Sequence, residues 1–563
     1  MDKASIPDLL HAVPMACYDL GVANEVLRFS FSAGGSDVTE EHKMKPLRIA
    51  FSTWDTSCFE EDLFIAEFVN AHAAIDIQGQ SYQLDKAHLR RLLTHPPDHK
   101  ATTSFRQHIL HELATNASAR LELENAYVRA SRVFSLLEES GLGQRLDLNR
   151  RRVDILRAVK ELIDGLADSF SQVKSGLVRM RQFGATVSGS EAYARLCNVV
   201  AIEHTMTSID ARIQLGYEGR IQHFEIVGIS NQALNPFYAT RLGRLVRRLL
   251  LLIKGYRFSD TEVLSQFVDD VFFGVSEQLA QLFQLFRDME FYLAALHFLD
   301  DAVRHGMRVC LPQLVHAQPG ANCERAVVGL FNPLLVGNGR APVACDLVQK
   351  RHSDIVILTG PNSGGKTRIL QALSYCQMLG QVGFFVPAAS AKLVWASGMF
   401  LSIGERTEAS QREGRLGTEL VRIRQVFEHA RVGSFVVVDE LCSGTNPEEG
   451  QEIFRMVLGL MQRLHVQAIV STHFLEFARD LARNNRLEQL MFLQVAIDAA
   501  NFPTYQLEDG VAKSSLAQHV AARLGVTRGE LEALVARRQK EFVVTGGSAP
   551  RVAAPRASGS VYS

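Results

Sequence analysis

Asp354-Ile-Val-Ile-Leu-Thr-Gly-Pro-Asn-Ser-Gly-Gly-Lys-Thr367 is the stretch whose reading decides the fold. Ile355 to Leu358 is a β-branched, apolar run and predicts a buried strand. The run empties into Gly360, Pro361, Asn362, Ser363, Gly364, Gly365, Lys366 and Thr367, which fit G-x-x-x-x-G-K-[ST] at every fixed position. Ile369, Leu370, Ala372 and Leu373 then carry helical spacing. Strand, glycine loop and helix together are the context of a phosphate-binding loop. Glycines let the backbone wrap phosphate oxygens with no Cβ in the way. The loop amides and the helix N-terminus then face the anion. Lys366 is expected to reach the β and γ phosphates of ATP, and the Thr367 hydroxyl to hold Mg2+. Arg368, the next residue, is counted with the nucleotide-binding set. The competing reading is a glycine-rich turn with an incidental lysine.

Working outward, Ser434-Phe-Val-Val-Val-Asp439-Glu440 predicts a second buried strand of a parallel sheet. Such a strand delivers its terminal carboxylates to the crevice that holds the loop. Asp439 is expected to hold Mg2+ through water, and Glu440 to act as general base on the attacking water. Gln467-Ala-Ile-Val-Ser471-Thr472-His473 is a third apolar strand with a polar exit. His473 is a candidate for sensing the γ-phosphate or fixing the water; the bland alternative is a structural histidine. Ser443-Gly-Thr-Asn-Pro-Glu448 is either a loop that approaches a second subunit's nucleotide or a plain helix start.

The bulk of the chain excludes several classes. Its 563 residues are 47% hydrophobic and 21% charged, with a net charge of −1, so no global field advertises a polyanion or a membrane. Eight scattered cysteines with no C-x-x-C read as reduced thiols rather than a disulfide frame or zinc site. The longest apolar candidate, Leu249 to Ile253, falls far short of the ~18 residues a membrane span needs. With no signal core behind Met1, a cytoplasmic location is expected.

Upstream, residues 103–140 carry helical spacing that ends at Gly141-Leu-Gly143. One long helix is expected from Arg150 to about Arg181, and helical pattern again from Pro236 to about His305. Between them 207–228 reads as a small β-hairpin. This order suggests either a projecting arm or a compact bundle with a hairpin. Residues 310–350 read as a strand-rich lead-in, and 514–540 as a final helical pair. Thr527-Arg-Gly-Glu530 fits a capping box. The tail from Gly546 is rich in Gly, Ser, Ala and Pro and is expected to be disordered.

These motifs resemble a family. Gly-Pro-Asn-x-Gly-Gly-Lys, Val-Val-Val-Asp-Glu-Leu with Gly-Thr-Asn-Pro, and Ser-Thr-His are similar to the MutS ATPases of DNA mismatch repair and their relatives. Asn332-Pro333-Leu-Leu, Val386-Pro387-Ala388 and Tyr505-x-Leu507-x-x-Gly510, with Ser515, Ala517, Ala521 and Gly525, extend the likeness over about 315–530. The resemblance implies a homodimer with composite ATP sites, and lever helices ending in a clamp that closes on DNA. The chain departs from it in three ways. Relatives that read mismatches carry an N-terminal domain with a Phe-x-Glu wedge, and this chain starts too close to the core domain to hold that wedge, so direct mismatch reading is not expected. Gly444-Thr-Asn-Pro447 resembles the branch with a C-terminal Smr nuclease, yet the chain ends in the tail described above. The family's Ser-Thr-Phe-Met-x-Glu-Met signature falls on Arg412-Glu-Gly-Arg-Leu-Gly-Thr-Glu419-Leu420, with no serine in register. A short, divergent member is expected.

The fold expected is an α/β P-loop NTPase domain of ABC or MutS type over 311–545. It follows a largely α-helical core (1–148) and lever helices and clamp with the hairpin (149–310), and precedes the tail (546–563). Two basic stretches are candidate DNA surfaces: Arg241, Arg244, Arg247, Arg248, Lys254 and Arg257, and Arg145, Arg150, Arg151, Arg152 and Arg157. The alternative for both is a solvated helix face. The function expected is ATP hydrolysis that drives a dimeric clamp on structured, branched or damaged DNA. One alternative is a nucleotide-switched adaptor for a protein partner. The other is an ABC-type energy module, which needs a Leu-Ser-Gly-Gly-Gln signature that is absent between Thr367 and Asp439.

Overall fold

The computed structural model describes residues 6–33, 52–138, 148–204, 207–215, 221–231, 260–317, 323–337, 342–361, 364–403, 415–442, 445–484, 487, 489–500, 502–514 and 524–544. The basic stretch 241–257, Arg145, the Arg150 side chain, Asn362, Ser363, Ser443, Gly444, residues 412–414 of the signature, Ser515, Ala517, Ala521 and the tail lie outside the described residues.

Among the described residues the chain opens with helices α1 (Leu20–Ala33) and α2 (Ile65–His72) and the β1 (Ala74–Ile77)–β2 (Gln80–Gln83) hairpin. Helices α3 (Lys86–Thr94), α4 (Lys100–Thr115) and α5 (Ala117–Glu138) follow. The helical run from 103 is thus two helices. Asn116 divides them, its side-chain oxygen accepting the Ser118 (3.1 Å) and Ala119 (3.2 Å) amides.

Next come α6 (Leu148–Asp168), α7 (Val178–Ser188), α8 (Glu191–His204), β3 (Thr207–Leu215), β4 (Ile221–Asn231), α9 (Asp260–Leu279) and α10 (Leu282–Arg304). The expected hairpin is present, with β3 and β4 antiparallel. The single helix expected over 150–181 is not. It stops at Asp168, and Phe170 turns into the core with left-handed backbone, φ 58°. Glu122 accepts the Phe170 amide at 2.6 Å, and Glu112 accepts those of Lys174 and Ser175 at 2.8 and 3.0 Å. These carboxylates satisfy the turn, and α7 folds back on α6. A Cβ on Gly184 would lie 2.5 Å from the Ala167 nitrogen, so only glycine permits this crossing. The second expected run is also divided, at Ala280–Gln281, between α9 and α10.

The C-terminal part begins with β5 (Gln313–Val315), β6 (Arg325–Leu330), β7 (Cys345–Gln349) and β8 (Ile355–Thr359). It continues with α11 (Lys366–Val382), β9 (Ser390–Val394), β10 (Met399–Ser402), α12 (Arg415–His429), β11 (Phe435–Val438) and α13 (Pro447–Leu464). Then follow β12 (Gln467–Ser471), α14 (Leu475–Asn484), β13 (Leu490–Ile497), β14 (Pro503–Asp509) and α15 (Arg528–Val544). The central sheet has the order β10-β11-β12-β8-β13-β14, parallel except for β14. A smaller sheet, β5-β9-β6-β7, joins three strands of the lead-in to β9, which follows α11.

Every residue of β8, β11 and β12 is buried, as continuous apolar runs in a doubly covered parallel sheet require. Alternate side chains serve two cores. Val356, Leu358, Val437 and Ile469 join the cluster that includes α11. Ile355, Ile357, Val436 and Val470 join one with Ile423, Phe454 and Phe477 of α12–α14. The first cluster has members from Leu9 to Val495 and so includes residues on both sides of 148 and of 310. Described side chains of the helical region are therefore packed onto the sheet-bearing part. Thr103 and Arg106 of α4 donate to the carbonyls of Gln381 (2.8 Å) and Val382 (2.9 Å), at the far end of the helix that starts at the glycine loop.

One expected DNA surface is corrected here. Arg151 is buried and donates to the carbonyls of Phe31, Ser30 and Leu137 at 3.2, 3.0 and 2.9 Å. Arg152, also buried, donates to the Ser32 carbonyl (3.0 Å) and faces Asp269 at 3.3 Å. Arg157 pairs with Asp154 at 3.0 Å. Arg151 and Arg152 tie α6 to α1 and α9 and present no surface to a phosphate.

Candidate nucleotide site

The glycine loop leaves β8 and ends at the N-terminus of α11, as the motif requires. Gly360 has φ 156°, and a Cβ there would stand 3.0 Å from Cβ of Val495 on β13. Gly365 has φ 85°, and a Cβ there would stand 3.0 Å from the Tyr505 ring on β14. Both positions combine backbone that favours glycine with a close neighbour. Lys366 is buried, 5% exposed, and its Nζ donates to the carbonyls of Gly360 and Pro361, each at 3.3 Å. Its ammonium therefore lies inside the loop that would hold an anion. Thr367 and Arg368 are exposed beside it, and Arg368 Nη1 donates to Gln371 Oε1 at 2.9 Å.

Three adjacent strand ends complete the crevice. Asp439 directly follows β11, and its Oδ2 accepts the Thr367 hydroxyl at 2.5 Å. Its Oδ1 accepts the hydroxyl of Ser471, the last residue of β12. Burial pushes the Asp439 carboxyl above the usual range, opposed by the bonds from Ser471 and Thr367, while Glu440 raises it further and Lys366 lowers it. Glu440 is held by its amide on Ser471 Oγ at 3.0 Å. Its carboxylate lies between two basic groups, Oε1 at 3.8 Å from Lys366 Nζ and Oε2 at 3.9 Å from His473 Nδ1. The structure thus brings Lys366, Thr367, Asp439, Glu440 and His473 together, although 107 residues separate the first from the last. Asn446 and Pro447 open α13, the Asn446 side chain accepting the Glu448 amide at 3.0 Å.

Three contributors carry weak sequence signals. Ser471 was legible as the polar exit of an apolar strand, but not as the bridge between Asp439 and Glu440. Glu419, on α12, accepts the Cys442 amide at 3.0 Å. Tyr505 covers Gly365 with a half-exposed ring, and no spacing rule connects residues so far apart.

ATP and Mg2+ fit this donor set. The loop carries glycine where a Cβ would meet Val495 and Tyr505, the Lys366 ammonium is buried within it, and the Thr367 hydroxyl meets the Asp439 carboxylate. Among the described residues no group of three or more His, Cys, Asp or Glu could hold a metal alone. Few protein ligands, completed by phosphate oxygens and water, is the pattern that suits magnesium.

Comparison with known proteins agrees with the geometry. Residues 356–537 match the MutS domain V family model. Endonuclease MutS2 of Thermus thermophilus is 31% identical over 224 residues, 38% of this chain and 29% of that protein. Endonuclease MutS2 of Carboxydothermus hydrogenoformans is 30% identical over 203 residues, 36% of this chain and 25% of that one. A Streptococcus pyogenes serotype M5 protein of the same name matches to the same extent. The alignments span less than a third of these relatives. The P-loop, acidic strand end and Ser-Thr-His exit assembled in this crevice all lie within residues 356–537, and that part of the chain is a MutS domain V.

Proposed function

We propose that the protein is a MutS-type ATP hydrolase that couples hydrolysis to a homodimeric clamp on structured or branched DNA, in repair or recombination and without direct mismatch reading. The observation that carries hydrolysis is the position of Glu440. Its carboxylate stands one residue beyond the Thr367–Asp439 contact, flanked by Lys366 and His473. A protein that only binds nucleotide has no need of a carboxylate there.

Thr367 and Asp439 would hold Mg2+, which when bound would supply positive charge against the charge developing on the phosphates. Lys366 offsets charge on the β and γ phosphates, and the loop amides orient them. Glu440 positions the attacking water and takes its proton. His473, beside Glu440, fixes the orientation of that carboxylate and water. No covalent intermediate is required.

We place the protein in the cytoplasm, in line with its eight unpaired cysteines. Among the described residues no helix is long and apolar enough to cross a membrane. A second reading, a nucleotide-switched adaptor for a protein partner, is favoured by the burial of Arg151 and Arg152, which removes much of one basic surface.

Steady-state ATPase with four-way-junction, mismatched and plain duplex DNA, beside Lys366→Ala, tests the DNA reading. Stimulation by one DNA form, lost in the variant, supports the clamp and names its ligand. ATPase that no DNA changes favours the adaptor.

A further inference from the structure

The backbone that aims Glu440 is strained. Glu440 and Cys442 have φ 55° and 58°, left-handed values at two residues that are not glycine. Such conformations persist where surrounding contacts over-determine them. The first is held by the neighbouring strand, through Ser471 Oγ and the Glu440 amide at 3.0 Å. The second is held from outside the sheet, through Glu419 Oε2 and the Cys442 amide at 3.0 Å. The position of α12, which carries Glu419, therefore bears on where Glu440 points.

What fixes α12 comes from far away in sequence. Arg422, three residues after Glu419, places Nη1 at 3.0 and 3.3 Å from the two carboxylate oxygens of Asp62. Asp62 Oδ2 also accepts the Ile403 amide, just past β10, at 2.9 Å. The Asp62 carbonyl accepts Gln371 Nε2 of α11, the helix of the glycine loop, at 3.2 Å. The Asp62 side chain is 5% exposed, so its carboxylate accepts these bonds largely away from water, and each of them is charge-assisted. A single residue of the N-terminal region thus touches α11, the end of β10 and α12.

We propose that Asp62 is a positioning residue for the ATPase centre. Through Arg422 it sets α12, and through Glu419 it holds the left-handed turn that aims Glu440. This rests on the reading of the site as an ATP hydrolase. It gives the helical region a direct hold on the hydrolytic carboxylate.

Asp62→Asn and Arg422→Gln in the full chain test it, with exposed Arg424→Gln on the same helix as control. Both test variants are expected to lose about tenfold or more in kcat, with KM for ATP within about threefold, because aim rather than binding is lost. The double variant falls no further than the worse single one, as one shared link requires. Arg422→Lys keeps the charge at the single nitrogen used and retains most of kcat. Hydrogen exchange of the peptide over 435–446 gives a readout that does not need turnover. The Cys442 amide exchanges faster in both test variants and at the wild-type rate in Arg424→Gln. Should Asp62→Asn not fold, Arg422→Gln, on a partly exposed side chain, carries the test. Wild-type kcat together with unchanged exchange overturns the proposal. A wild type with no ATPase overturns the hydrolase reading instead, and exchange alone then decides whether Asp62 holds the turn.

Discussion

The Thr367 hydroxyl donates to Asp439 Oδ2 across 2.5 Å, joining the start of α11 to the end of β11. Two anchors found separately in the sequence thus meet in one hydrogen bond. Thr367→Val keeps the shape and removes the donor. Its nucleotide affinity in EDTA is expected to stay at the wild-type level, while the gain in affinity on adding Mg2+ falls about tenfold or more. Titration of a fluorescent ATP analogue with and without Mg2+ checks this.

Gly365 offers a steric prediction. In Gly365→Ala the methyl meets the Tyr505 ring and the residue must hold φ 85°. Left-handed backbone alone costs an alanine roughly 1–2 kcal/mol, so ATP affinity is expected to fall about tenfold. Adding Tyr505→Ala relieves the ring contact only. Calorimetric affinities of the single and double variants separate the two contributions.

Arg151 separates a structural cation from a DNA-binding one. Arg151→Ala leaves three carbonyls without this donor, a loss on the order of 3 kcal/mol in unfolding free energy. Thermal unfolding shows the drop. If DNA is bound, the slope of log affinity against log salt stays at the wild-type value in any variant that folds. A slope smaller by about one would place Arg151 on a phosphate after all.

Glu290 gives the pH dependence. Burial, partly offset by Arg287, raises its carboxyl from 4.5 to about 7. The folded state then holds a proton that the unfolded state has released, so stability from this group falls as pH rises from about 4.5 to about 7. The full difference is roughly 3 kcal/mol at most. Glu290→Gln has no such proton to lose. Its stability relative to wild type is expected to rise between pH 5 and pH 8, as followed by denaturant midpoints at the two pH values.

The site was legible where chemistry is written locally. Gly360 to Thr367, Asp439-Glu440 and Ser471-Thr-His473 each follow an apolar run, and a parallel sheet has to bring such strand exits to one edge. The hairpin near 207–231 was legible for the same reason, as a change of period. The helix break at Phe170 was not, because tertiary contacts decide it. The carboxylates that satisfy the turn, Glu112 and Glu122, lie about two helices earlier, and helical periodicity continues across the gap. Arg151 and Arg152 misled because charge was read without burial. Asp62 was invisible, since its partners Ile403 and Arg422 are 341 and 360 residues away.

The central claim is that Glu440 serves hydrolysis and not binding. Steady-state ATPase and ATP affinity, measured together for wild type and Glu440→Gln, test it most directly. The account predicts a kcat lower by about a hundredfold or more with ATP affinity within about threefold of wild type. Equal turnover in the two proteins would contradict it and would move the protein from hydrolase to nucleotide-switched binder.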